Sequence, residues 1–138
     1  MARTGSRASA VIIQNGKILL IHRKKEGEEY WVLPGGLIED GEAPQDAGIR
    51  EVKEETSLKV TKFKLWFKEN FEFRDKDRYN YLFVCHVDGN DAVLGGEEAK
   101  TNSERDWYHL EWINLISLSE HNLLPVTVKT RVMEQVWD

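Results

Sequence analysis

Residues 35–58 read GGLIEDGEAPQDAGIREVKEETSL, and this stretch carries most of the information in the chain. Two glycines open it, and Pro44 suits the first turn of a helix, which we predict over Pro44 to about Ser57. An α-helix turns by about 100° per residue, so Glu51, Glu54 and Glu55 fall within a sector of about 100°. The sequence therefore predicts three carboxylates on one face of a helix that follows a glycine turn.

These three carboxylates have two interpretations. Acidic residues on a surface helix usually form a solvated face, which is the simpler interpretation. However, this acidic sector adjoins the apolar face of the helix, with Glu55 nearest to it, and like charges at this spacing repel each other. A divalent cation would remove that repulsion, and ligands that are all oxygen atoms suit Mg²⁺. The pattern therefore favours a metal site.

The spacing in this stretch resembles the Nudix box, which is a Gly, five residues, a Glu, seven residues and then Arg-Glu-aliphatic-x-Glu-Glu-x-Gly-aliphatic. Here Gly36, Glu42 and Arg50 match the first three positions, the three glutamates follow in place, and Leu58 ends the motif. Ser57 stands where the family has Gly and is the single mismatch. Because Gly is favoured at a left-handed helix end, we expect Ser57 to cost some stability without abolishing activity.

The resemblance implies metal-dependent hydrolysis. Glu51, Glu54 and Glu55 would bind Mg²⁺, for which Mn²⁺ can substitute, with help from the backbone carbonyl of Gly36. Arg50 would pair with the neighbouring carboxylates and hold their geometry. The expected substrate is a nucleotide-type small molecule with a diphosphate linkage, such as ADP-ribose, a nucleotide sugar, a dinucleotide or a nucleoside triphosphate.

The family takes the proton of the attacking water either with a glutamate of the box or with one of a later loop. We expect Glu54 to have this role here. Glu97 is the alternative catalytic residue, because Gly95-Gly96 precede it in a polar loop predicted over Gly89–Asp106, and its neighbour Glu98 would contact the substrate. A solvent-exposed pair of loop residues is an equally good interpretation of both.

Positive charge for substrate phosphates has two sources. We predict Arg23, beside Lys24 and Lys25 at the end of a strand, as a substrate contact, with Arg74 and Arg78 in a predicted turn as the second source. A charged hairpin end is the simpler account of either cluster. A stacking surface for a base would come from strand aromatics, of which we expect at most two to touch a ligand. The candidates are Phe71, Phe73, Tyr79, Tyr81, Trp107 and Tyr108.

Apolar, β-branched runs predict a strand-rich fold. Asn15-Gly16 predicts a two-residue hairpin turn, and Gly35-Gly36 predict a tight loop. The predicted strands are Ala8–Gln14, Lys17–Arg23, Tyr30–Leu33, Leu58–Phe63, Leu65–Phe73, Tyr79–Val87 and Trp107–Ile113, with further helices at Ser117–His121 and Val126–Trp137. We therefore expect one α+β domain over residues 1–138, an α/β/α sandwich in which a mixed sheet packs between helices.

Composition limits the partners. A net charge of -5 argues against an extended nucleic-acid interface, and no apolar run approaches the ~20 residues that span a bilayer. The single cysteine, Cys85, lies in an apolar run, so we expect it to be a buried strand residue. One cysteine cannot form an internal disulfide, which predicts a reducing compartment. Because residues 1–9 are polar and lack the apolar stretch of a secretory signal, we expect a cytoplasmic location. A monomer or a homodimer fits equally well.

Two rival functions share these residues. The same fold could sense a nucleotide for a regulatory partner with little turnover, but a binding module has less need of three metal-binding carboxylates. An RNA decapping enzyme would share the chemistry, but an acidic surface gives it no advantage. The four histidines are scattered and lack the spacing of zinc ligands.

Overall fold

The computed structural model describes residues 3–73, 76–89 and 105–137. The elements in these ranges are the strands β1 (Arg3–Gln14), β2 (Lys17–Lys25), β3 (Glu28–Val32), β4 (Gly35–Glu39), β5 (Lys59–Phe73), β6 (Lys76–Asp88), β7 (Asp106–Asn114) and β8 (Leu123–Leu124), the helices α1 (Pro44–Thr56) and α2 (Val126–Glu134), and a 3₁₀ helix (Leu115–Glu120). None of the helices in the described ranges is both long and apolar enough to span a bilayer.

The strands form two sheets that share one hairpin. The first sheet has the order β4–β1–β6–β5, in which β1 and β6 are parallel. The second has the order β7–β2–β3–β8, in which β3 and β8 are parallel. The β1–β2 hairpin joins them, and its turn residues Asn15 and Gly16 both have positive φ, as predicted. The expected α+β class with a mixed sheet is confirmed.

Strand β1 separates two environments, because its side chains alternate between the faces of the sheet. Ala10 and Ile12 are fully buried in a core cluster with Val52 of α1. Val11, which points the opposite way, is fully buried in a second cluster with Val128 and other residues of α2. Helix α1 therefore covers one face of the first sheet, and the other face turns toward α2.

Helix α1 has the predicted length and ends as predicted. Its last turn is closed by Ser57, which has left-handed backbone angles (φ 62°) and whose N–H donates to the carbonyl of Lys53 at 3.1 Å. Inside the helix, Gly48 allows close packing. A Cβ there would lie 2.6 Å from Cζ of Phe63, so the ring lies directly on the helix backbone.

The predicted tight loop at Gly35-Gly36 is wrong, because these residues begin strand β4, which pairs with β1. The glycines allow close approach rather than a turn. A Cβ at Gly35 would lie 2.3 Å from the backbone oxygen of Ala8. A larger residue would therefore push β4 away from β1.

The two strands predicted over Leu58–Phe63 and Leu65–Phe73 are one strand, β5. Its pairing with β6 shifts register between Leu65 and Phe67, which leaves Trp66 as an extra residue. Trp66 packs against Trp137 with ring centroids 5.1 Å apart. The bulge therefore looks like a break in the sequence pattern although the strand continues.

Several element boundaries also differ from prediction. Strand β1 begins at Arg3 instead of Ala8, β2 ends at Lys25 instead of Arg23, and β3 covers Glu28–Val32 instead of Tyr30–Leu33. Strand β6 begins at Lys76, inside the segment predicted as a turn, because Lys76 pairs with β5. The 3₁₀ helix covers Leu115–Glu120 instead of Ser117–His121. Helix α2 ends at Glu134, and Trp137, predicted as helical, donates its indole N–H to the carbonyl of Val132 at 2.9 Å.

Replacing Gly48 with Ala tests the contact with Phe63. In an exposed helix interior this change stabilises by about 1 kcal/mol, but here the added methyl group meets the ring. We expect Gly48→Ala to lower the free energy of unfolding by about 1–3 kcal/mol in urea denaturation. Adding Phe63→Leu should recover part of that loss, whereas a stabilised single variant would contradict the contact.

Candidate active site

The end of α1 meets the start of β4 through two carboxylates and two adjacent glycines. Glu55 is buried, with 3% of its surface exposed, and its carboxylate accepts a hydrogen bond from the N–H of Gly35 at 2.7 Å. The carboxylate of Glu51 lies against Gly36, where a Cβ would be 2.5 Å from its Cδ. The glycines therefore let two acidic groups touch the backbone of β4.

Arg50 gathers the neighbouring acids around one guanidinium. Its Nη1 donates to Glu51 at 2.8 Å and lies 3.5 Å from Glu54. Its Nε and Nη2 donate to the two oxygens of Glu42 at 2.8 and 3.0 Å. A planar guanidinium matches a carboxylate in this bidentate way. One side chain thus connects three acids of the predicted site.

Glu42 anchors this network before the helix begins. Besides the two bonds from Arg50, it accepts a hydrogen bond from the backbone N–H of Glu39 at 3.2 Å. The hydrogen bonds from Arg50 hold the pKa of the Glu42 carboxyl below its usual value. The same contact with Glu42 raises the pKa of Arg50. Both groups are therefore charged at neutral pH.

The donor chemistry of this face suits a hard divalent cation. Glu51, Glu54 and Glu55 offer oxygen atoms alone, as Mg²⁺ prefers, and the backbone of Gly36 lies in contact with the first of them. Within residues 3–73, 76–89 and 105–137, no three His, Cys, Asp or Glu side chains converge on one point. Two of the carboxylates face Arg50 and the third faces Gly35. Jointly binding one ion therefore requires side-chain rotation.

A cleft of about 1480 Å³ opens beside this face, between the two sheets. Glu55 and Gly35 line one end of it. The first sheet contributes one wall, and the second sheet contributes another that includes Arg23 and Tyr108. The N-terminal turn of α2 closes a further side. A space of this size, with the carboxylate of Glu55 at one end, can hold a nucleotide-sized molecule. Glu51 and Glu54 are not among the residues that line it.

Arg23 lies on the wall of this cleft, but its charge is already partly neutralised. It is 6% exposed, forms an ion pair with Asp106 and lies over the ring of Tyr108 at 4.0 Å. Burial by itself would lower the pKa of Arg23, but the hydrogen bond to Asp106 and neighbouring charges raise it. The neighbours Lys24 and Lys25, and also Arg78, are not among the cleft-lining residues.

The candidate aromatics divide between the cleft and other surfaces. Phe71 and Tyr108 line the cleft. Tyr79 and Tyr81 lie next to each other with the amine of Lys68 over their rings, and Trp107 stacks on a histidine. Of the candidates whose side chains the structure describes, two therefore line the cleft. The side chain of Phe73 lies outside the described set.

Some predicted residues lie outside the cleft or outside the described ranges. Glu97 and Glu98 fall in residues 90–104, and Arg74 also lies outside the described residues. Cys85 is buried in β6, as predicted, and burial raises the pKa of its thiol to about 12. His22 is held by Glu29 and Glu111, each at 2.6 Å.

The sequence analysis missed a polar pair inside the cleft. Ser9 and Asn80 are 6% and 7% exposed, line the cleft and form a hydrogen bond of 3.3 Å. The available signal was a serine within the apolar run of β1 and an asparagine within that of β6. Such residues need a partner when buried, but their pairing across 71 positions is visible only in the folded chain.

Comparison with known proteins gives one consistent family. The family model described as the NUDIX domain matches residues 4–127. The 8-oxo-dGTP diphosphatase of Escherichia coli K12 is 32% identical over 114 residues, which are 81% of each chain. The ADP-ribose pyrophosphatase of Methanocaldococcus jannaschii is 47% identical over 95 residues, which are 65% of this chain and 54% of that protein.

Solved structures agree on the fold. A MutT structure from work on Aliivibrio salmonicida and Vibrio cholerae superposes with a TM-score of 0.72 at 20% identity, covering 95% of this chain and 98% of that one. The chain spans between 30% and 60% of the length of the first three curated relatives that it matches.

Replacing Glu42 with Gln tests the network at Arg50. Because the pKa of Glu42 is lowered on folding, its ionised form stabilises the fold above its unfolded value of about 4.5. That contribution is lost as pH falls through the lower folded pKa. We expect Glu42→Gln to destabilise by about 1 kcal/mol at pH 7, measured by urea unfolding. The difference should shrink in acid, and a loss that does not change with pH would contradict the charge pairing.

Proposed function

The chain belongs to the Nudix family, and we propose that it hydrolyses a diphosphate linkage in a nucleotide-type substrate with the help of Mg²⁺, for which Mn²⁺ can substitute. The observation that carries the proposal is the junction of α1 and β4. There Glu51 and Glu55 contact two adjacent glycines, and Glu55 and Gly35 line the end of a cleft large enough for a nucleotide. A charged helix face that served only solubility would have no need of a buried Glu55.

The proposed metal ligands are Glu51, Glu54 and Glu55, with the carbonyl of Gly36. A bound Mg²⁺ would polarise a phosphoryl oxygen, neutralise charge on the leaving group and acidify water. Arg50 orients the carboxylates of Glu51 and Glu54 through its Nη1. It is a positioning residue, since its remaining donors are held by Glu42 and by the backbone carbonyl of Leu37.

Glu54 is the proposed general base. Its side chain is 52% exposed, against 17% for Glu51, so it can reach a water molecule and exchange a proton with solvent. Its bond to Arg50, at 3.5 Å, is also the longest in the network, which leaves its carboxylate the most freedom to turn. Glu97 remains the alternative catalytic residue, with Glu98 as a proposed substrate contact.

The cleft supplies the proposed substrate site. Arg23 is the proposed cation on the second-sheet wall, where its ion pair with Asp106 fixes its direction. Phe71 and Tyr108 are the aromatic surfaces available to a base. The relatives named as a diphosphatase and a pyrophosphatase support the reaction type. Because these two relatives have different substrates, they do not identify the leaving group.

Replacing Glu54 with Gln tests the proposed base. Turnover of a panel of nucleotide diphosphates, ADP-ribose and nucleoside triphosphates with Mg²⁺ should release a nucleoside monophosphate from at least one substrate. We expect Glu54→Gln to lower kcat by about 10²–10⁴-fold with a smaller change in KM, because the amide cannot accept the proton. Circular dichroism should show that the fold is intact.

Glu120→Gln is the matched control, because it makes the same chemical change at an exposed residue of the 3₁₀ helix, away from the cleft. It should keep wild-type turnover. If Glu54→Gln kept full activity and Glu97→Gln lost it, the role of general base would be assigned to Glu97. The absence of Mg²⁺-dependent turnover on every substrate would overturn the proposed function.

Replacing Gly36 with Ala tests the contact between β4 and Glu51. The added methyl group would occupy the space of the Glu51 carboxylate, which is the movable end of a side chain. We therefore expect little change in stability but a rise of about tenfold or more in the Mg²⁺ concentration for half-maximal activity. Gly41→Ala is the control, because no atom lies within 4 Å of a Cβ there. Its positive φ will cost stability, so metal dependence is the quantity to compare.

A further inference from the structure

Three polar side chains lie in one row across the first-sheet wall of the cleft. Arg7 of β1 pairs in register with Asn80 of β6, and Asn80 pairs in register with Glu69 of β5. Residues directly opposite each other on neighbouring strands share a face of the sheet, and all three line the cleft. Strands are about 4.8 Å apart, so the row spans about 10 Å, enough for the edge of one purine.

Asn80 at the centre of the row is set as a hydrogen-bond donor. The hydroxyl of Ser9 donates to its Oδ1 at 3.3 Å, which leaves the two N–H groups of the amide. Within the described residues the Asn80 side chain has no other hydrogen bond. Its amide nitrogen is nevertheless not a fully buried atom without a partner, because the one such side-chain atom among the described residues is Nε of Arg78. The Asn80 amide nitrogen therefore has access to the cleft.

The two flanking residues have opposite character. Glu69 accepts a hydrogen bond from the hydroxyl of Thr127 through Oε2 at 3.0 Å, so its second oxygen is an acceptor that this contact leaves open. Arg7 forms no ion pair or side-chain hydrogen bond with residues 3–73, 76–89 or 105–137. Across the wall the order is cation donor, amide donor, carboxylate acceptor.

We propose that this row reads the base of the substrate and selects guanine over adenine, an inference that rests on the proposed function of the cleft. Guanine presents N7 and O6 as acceptors and then N1–H and N2–H as donors. This order complements Arg7, Asn80 and Glu69. Adenine presents a donor at N6 and an acceptor at N1, so it would oppose the amide and the carboxylate with like groups, and unpaired polar groups in a binding site are costly.

Phe71 supplies the stacking surface. It lies two residues from Glu69 on β5, hence on the same face of the strand, and it lines the cleft with 36% of its surface exposed. An aromatic ring beside the polar row suits a flat base whose edge meets that row. Stacking accepts any base, so the discrimination comes from the row.

The test is equilibrium binding of GMP, IMP and AMP, measured by calorimetry on the full chain. Wild type should bind GMP about tenfold or more tighter than AMP, because two edge contacts differ, with IMP between them because it lacks the N2 amine. Asn80→Asp should weaken GMP binding by at least about tenfold and should reduce or reverse the preference for GMP over AMP. Ser9→Ala should reduce the preference for GMP over AMP with a smaller loss of GMP affinity, because the Asn80 amide is then free to rotate.

Glu69→Gln should also narrow the preference, and Glu72→Gln is its matched control, an exposed residue of the same strand that does not line the cleft. Equal affinity of wild type for GMP and AMP would overturn the proposal. The proposal would also be overturned if the Asn80 and Glu69 variants lost the same factor of affinity for all three nucleotides. That result would mean that the row contacts ribose or phosphate. Because monophosphate binding needs no turnover, GMP selectivity without hydrolysis would refute the proposed function alone.

Discussion

The site depends on one guanidinium. Arg50 joins Glu42, which precedes α1, to Glu51 and Glu54 within it. Without that cation, three carboxylates would lie close together and repel each other. The helix could still fold, since its apolar face packs on the first sheet, but its acidic side chains would have no common orientation. The hydrogen bond from the N–H of Gly35 fixes the orientation of the fourth acid, Glu55.

Much of this arrangement was predictable because it is local in sequence. The helix over Pro44–Thr56, its left-handed end at Ser57 and the hairpin turn at Asn15 depend on residues within a few positions of each other. The grouping of the glutamates follows from helical spacing alone. The buried strand position of Cys85 was likewise evident from its apolar neighbours.

What escaped prediction depends on distant partners. Gly35 reads as a turn residue, and only its contact with β1 shows that the missing side chain allows strand pairing. The bulge at Trp66 hides the continuity of β5 because its reason, the contact with Trp137, lies 71 positions away. The row across the cleft wall requires the order of three strands, which periodicity does not supply.

The alternation of β1 separates two kinds of evolutionary freedom. Its even-numbered side chains Ala8 and Ala10 belong to core clusters that support α1, whereas Arg7 and Ser9 face the cleft. Substitutions at the second set change what the wall recognises and leave the packing beneath the acidic helix intact. Related proteins can therefore differ in the ligand they bind through substitutions at the cleft-facing positions of β1, while the acidic helix and its reaction stay the same.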